Sequence, residues 1–134
     1  MAQDDIERVR AAYDAWNAGN LEAALELSHP EIEVVQDPQI PGAVTVSGKE
    51  AFGRWLASFF ETWESFEITP TEIRRIDDKI VVVGHVNARG KTAQIPVETD
   101  TAHVLTVRDG LAIRWESYTD PSEALRMLGL SEES

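Results

Sequence analysis

The chain contains no cysteine, which excludes disulfides, thiolate metal sites and cysteine nucleophiles and fits a reducing compartment. It is poor in cations: 12 Lys and Arg stand against 24 Asp and Glu, a net charge of −12. Such a surface repels phosphate backbones and anionic lipid, and no Lys/Arg cluster offsets it. Neither nucleic acid nor a membrane is therefore expected as a partner. Unbroken apolar runs are a few residues long, far short of a membrane span. The opening residues MAQDDIERVR lack the apolar stretch of a secretion signal, so the expected location is cytoplasmic. His29, His85 and His103 lie far apart without ligand spacing, so no metal is expected. Neither a glycine-rich phosphate loop nor a G-x-S-x-G elbow occurs, and no cofactor is expected.

What the chain does have is enough apolar material for one core. With 134 residues, 43% of them hydrophobic, residues 1–134 read as a single domain. The strongest local signal is TAHVLTVRDGLAIRWESYTD, Thr101 to Asp120. Asp109-Gly110 between two alternating apolar runs marks a hairpin. Alternation puts His103, Leu105 and Val107 on one face of its first strand. On its second strand Leu111, Ile113, Trp115 and Ser117 share a face. One histidine thus stands in an apolar row and faces the same way as a tryptophan.

Earlier in the chain the apolar period is helical. Ile6, Val9, Tyr13 and Trp16 form a stripe that stops at Asn17-Ala18-Gly19-Asn20. Leu21 to Leu27 reads as a short second helix, and Glu31 to Asp37 as a strand broken by Pro38. Ser47-x-x-Glu50 reads as a capping box opening a third helix that runs to about Glu64. Phe52, Trp55, Leu56, Phe59, Phe60 and Trp63 fall on one side of it, a pattern more often core than ligand box. Strands are predicted from Phe66 to Ile76 and from Lys79 to Arg89. Pro70 calls for an edge or a bulge in the first, and the apolar run Ile80 to Val83 leaves the inward face of the second ambiguous. Asp120-Pro121 opens a last short helix. Helices grouped before a run of strands predict an α+β domain, with the N-terminal helices packed on the concave face of a curved antiparallel sheet and enclosing a pocket.

NAGN closing the first helix, LEAALEL-SHPEIEV, SGKEAF opening the third, the strand HVLTVRDG, and RWESYTD before LRMLG together carry a resemblance. Over about residues 5–130 the chain resembles the nuclear-transport-factor-2-like superfamily, and within it the SnoaL-like group. The resemblance implies a cone-shaped fold with a deep apolar pocket, and a homodimer. The superfamily includes ketosteroid isomerases, polyketide cyclases and non-catalytic binding modules. SnoaL-like cyclases carry a histidine before the D-G turn, which His103 matches, and an aspartate on the next strand, where this chain has Ser117. Ketosteroid isomerases use an Asp-Pro aspartate as general base, which Asp37-Pro38 resembles. Their late-strand hydrogen-bond partner falls on His103. Their first-helix tyrosine is not matched, since Tyr13 sits one position off and is expected to point elsewhere.

These residues predict a chemistry. A carboxylate at Asp37 abstracts a proton next to a carbonyl, and His103 donates a hydrogen bond to the developing oxyanion. Trp16, Phe59, Trp63 and Trp115 supply flat apolar walls, and Tyr13, His85 and Ser117 complete the candidate pocket. The substrate is then a small hydrophobic ring compound, and the activity that of an isomerase or cyclase-like lyase without cofactor. Two other readings stand beside it. Ser117 in place of the aspartate favours a binding module for a small hydrophobic ligand. Small outward residues Val104, Thr106 and Ala112 suit a dimeric interaction domain. Plainer roles exist too: Asp-Pro opens turns, and a core histidine needs only one neighbour to bond. A ligand pocket calls for about 300 Å³ or more, which separates the readings.

Overall fold

The computed structural model describes residues 2–36, 45–91 and 96–118. Asp37, the residues joining the Lys79 strand to the His103 strand, and the helix expected after Asp120 lie outside the described residues. Helix α1 spans Ala2–Asn17 and turns Val9, Tyr13 and Trp16 inward, as its stripe requires. Gly19, at φ 76°, takes the left-handed conformation that ends it. The Asn20 side chain then caps α2, Leu21–Leu25, by accepting from the Ala23 N–H at 3.1 Å.

Strands β1 (Ser28–Val35) and β2 (Thr45–Ser47) follow, then helix α3 (Lys49–Thr62). Four strands complete the described chain: β3 (Trp63–Ile76), β4 (Lys79–Gly90), β5 (Pro96–Arg108) and β6 (Leu111–Tyr118). They form one sheet of order β2-β1-β6-β5-β4-β3. The sheet is mixed, not antiparallel throughout, because β1 runs parallel to β6. A parallel pair needs a long crossover, and everything from β2 to β5 supplies it. The core lies on the face covered by α1 and α3. Val9, Trp16, Phe52 and Leu56 from the helices meet Ile32, Val34, Ile80, Val82 and Leu105 from the sheet.

Three local expectations are corrected. Ser47 does not cap α3. It ends β2, and Gly48 holds the N-cap position at φ 94°, where a side chain would be strained. Trp63 belongs to β3, since α3 stops at Thr62. Ala112 packs inward and not on the outer face, because a register shift between Thr106 and Val107 resets the alternation of β6. Pro70 lies on an edge strand and beside a register shift, as a residue without an N–H demands. The β5–β6 turn has φ 54° at Asp109 and 79° at Gly110, the paired positive angles of a type I′ turn.

The end of α1 is tied to the edge of the sheet by one side chain. Asn17 Nδ2 donates to the Ile68 carbonyl at 2.7 Å, and its Oδ1 accepts from the Ile68 N–H at 2.8 Å. A side-chain amide thus completes the ladder of edge strand β3. Asn17→Ala is expected to lower stability by about 1–3 kcal/mol, since both backbone groups lose their partner. Denaturant unfolding measures the loss, and the Ile68 amide should exchange faster in the variant. An unchanged exchange rate would show that Asn17 does not hold this edge.

Candidate functional site

The polar centre of the core assembles from three elements. The inward stripe of α1 carries Tyr13, β5 carries His103, and β6 carries Trp115. Tyr13 and His103 are 7% and 5% exposed. The Tyr13 hydroxyl is hydrogen-bonded to His103 Nδ1, so the expectation that Tyr13 points elsewhere is overturned. Helical phase decides its direction: Tyr13 follows Val9 by one turn and precedes Trp16 by three residues. The two rings lie nearly parallel, 13° apart with centroids 5.7 Å apart, and Trp115 meets His103 edge-on at 4.8 Å.

Burial fixes the protonation of this pair. Desolvation pushes the His103 pKa down to about 3, so the imidazole is neutral. Desolvation raises the Tyr13 pKa well above the usual phenol range, against a smaller opposing effect of a hydrogen bond from Trp115. The phenol is the stronger acid and the neutral imidazole nitrogen the better acceptor, so Tyr13 gives its proton to His103 Nδ1. That pattern assigns the remaining ring proton to Nε2. Among the described residues, Nε2–H has no hydrogen-bond acceptor.

Beside this centre is a cavity of about 60 Å³ lined by Tyr13, Trp16, Ser28, Ile32, Leu56 and Trp115, among others. Its lining is almost wholly apolar, and it falls well below the volume expected of a ligand pocket. Trp16 and Trp115 fill much of the space. The Trp16 Nε1–H is buried without a partner among the described residues. Ser28, 5% exposed, is the polar residue in the lining that sequence reasoning missed. It stands where β1 begins, behind a His-Pro pair that reads as a loop.

The other predicted pocket residues are dispersed. Phe59 and Trp63 pack against each other and against Phe66, with Phe59 also touching Trp16, and line no part of the cavity. Ser117 pairs with His103 across the β5–β6 ladder and is half-buried. His85 is a correction: it lies on the sheet face opposite the helices, because Ile80, Val82 and Val86 take the inward positions of β4. There it sits 2.9 Å from Asp100 and 3.0 Å from Glu98, whose carboxylates hold its pKa above the ordinary value. Among the described residues no group of three or more His, Asp or Glu side chains is arranged to hold a metal ion. No helix among them is long and apolar enough to cross a membrane.

The SnoaL-like domain family matches residues 9–115, from the inward stripe of α1 to Trp115. This chain belongs to that family. The match encloses all three members of the Tyr13–His103–Trp115 centre. Solved structures repeat the fold of this SnoaL-like chain. An NTF2-like protein of unknown function from Burkholderia pseudomallei aligns with a TM-score of 0.80 at 18% identity, over 91% of this chain and 95% of its own. A ketosteroid isomerase-like protein from Catenulispora acidiphila, in complex with trimethylamine, aligns at 0.76 and 23% identity, over 96% of each chain. TerC, co-crystallized with polyporic acid, aligns at 0.78 and 25% identity, over 92% of this chain and 96% of its own. No functionally curated protein is significantly similar in sequence.

Proposed function

We propose that this SnoaL-like domain binds a small apolar carbonyl compound on the helix-covered face of its sheet, in a space that widens beyond the present 60 Å³ when Trp16 and Trp115 move aside, and moves a proton next to that carbonyl. The observation that carries this reading is the buried Tyr13–His103 pair. Tyr13 satisfies one nitrogen of this buried histidine and leaves the other without a partner among the described residues. Here its Nδ1 is occupied by Tyr13, its charge is suppressed, and Nε2–H is left to donate. A neutral, oriented donor in a dry site is what a developing oxyanion needs. Asp37, the Asp-Pro carboxylate, is the base in this reading. TerC, with its bound polyporic acid, is a precedent for a ring compound on this fold.

Asp37→Asn removes the base while keeping the shape. Turnover of an enone that the wild type isomerises is expected to fall by about 100-fold or more. Unchanged turnover would remove Asp37 as the base, whereas binding of such compounds by the wild type with no turnover would leave the second reading, a domain that binds its ligand without reacting. Ser117 in the cyclase aspartate position favours that alternative, because a hydroxyl cannot serve as the proton-transfer acid.

A further inference from the structure

Outside the inner cavity is a groove of about 340 Å³ between α1, α2 and the β5–β6 turn, lined among others by Arg8, Ala12, Glu26, Leu27 and Gly110. Ala12 and Leu27 also line the inner cavity, so one layer of small and aliphatic side chains separates the two spaces. Arg8 Nη1 donates to the Gly110 carbonyl at 3.1 Å. Gly110 has no side chain, and a Cβ there would collide with the Arg8 guanidinium. The guanidinium is therefore positioned at the groove by the turn. Among the described residues it makes no ion pair, although the chain has twice as many acids as cations. Arg54, Arg74, Arg75 and Arg114 each have a carboxylate partner, and of the described arginines without an ion pair, Arg8 is the one that lines this groove.

We propose that groove and cavity are two halves of one binding site, and that the ligand is an amphipathic monocarboxylate. Its carboxylate sits on Arg8, and its apolar end parts Ala12 and Leu27 and enters an inner space that widens from its present 60 Å³ to take it. This rests on the reading that the helix-covered face binds an apolar compound, and adds the charge of the ligand's outer end. A guanidinium anchored through one N–H keeps further donors in a fixed fork for a carboxylate. In a chain of net charge −12, an anion needs such a local cation to approach at all. Glu26 faces the same groove and works against the anion, which limits the site to a single negative charge. Inside, Ser28 is the small polar residue of the lining available to an oxygen on the buried end.

Calorimetric titration of the full chain with cinnamate and with its neutral methyl ketone analogue, benzylideneacetone, tests the proposal. The wild type is expected to bind the acid about tenfold more tightly than the ketone. Arg8→Gln should bring the acid down to the ketone's affinity, Arg8→Lys should keep a preference for the acid, and Glu26→Gln should enlarge it. Equal affinity of the wild type for both probes, or a preference that survives in Arg8→Gln, overturns the proposal and leaves the apolar site standing. Binding of neither probe overturns both.

Discussion

Between pH 7 and pH 5 the fold is expected to lose about 2 kcal/mol through His103 alone. In the unfolded chain this histidine titrates near its ordinary value of 6.5, and in the folded chain it stays neutral down to about 3. Between those values the unfolded state binds the extra proton, so acid favours unfolding by about 1.4 kcal/mol per pH unit. The contribution is fully present above pH 6.5 and is lost as pH falls toward 3. His85 acts in the opposite sense. Its folded pKa is raised by Asp100 and Glu98, so its contribution is complete below 6.5 and fades as pH rises through the folded value. The two windows lie on either side of 6.5 and separate cleanly. Urea unfolding at pH 7, 6 and 5 measures the effect. His103→Gln should flatten the slope between 6.5 and 5, and His85→Gln should leave that slope unchanged. The same slope in wild type and His103→Gln would show that the buried imidazole is not its source.

Tyr13→Phe is expected to destabilise the protein by about 1–3 kcal/mol, out of proportion to the single oxygen removed. That hydroxyl donates to the buried His103 Nδ1. Phenylalanine fills the same space but leaves Nδ1 unpaired where water cannot replace the hydroxyl. A cycle with His103→Leu separates loss of the bond from loss of packing. If the bond dominates, the double variant should cost at least about 1 kcal/mol less than the sum of the singles. The ¹⁵N shifts of the His103 ring give an independent readout: a neutral Nε2–H imidazole in the wild type, and a mixture of tautomers in Tyr13→Phe. A cost below about 0.5 kcal/mol with unchanged ring shifts would remove the hydroxyl from the assignment.

The parts legible in the sequence were those encoded within a few residues. Asp109-Gly110 announces its hairpin, the four-and-three spacing of Val9, Tyr13 and Trp16 announces the inner face of α1, and Gly19 and Asn20 announce the break between helices. What was not legible depends on partners far along the chain. Nothing local says that β1 runs parallel beside β6, since that pairing is closed by the whole crossover between them. In Leu111-Ala112-Ile113 every residue is apolar, so alternation could not reveal the register shift that turns Ala112 inward. The run Ile80 to Val83 hid the facing of β4 for the same reason, and with it the outward position of His85. Tyr13 is the instructive case. Its helical stripe already placed it in the core, and alignment to a family tyrosine one position away argued against what the stripe said.

The clamp between Asn17 and Ile68 has a consequence for how copies of this chain meet in solution. A sheet edge offers a row of unpaired backbone groups that another copy can extend. Among the described residues one side of the sheet ends in β2, three residues long. The other ends in β3, fourteen residues long. There Pro70 withholds a donor, the shift between Pro70 and Glu72 breaks the straight run, and Asn17 occupies the backbone of Ile68. Glu72, Arg74 and Arg75 bring charge to the remainder. The long flank is thus interrupted at its centre and charged toward its end, which discourages strand-by-strand stacking into fibres.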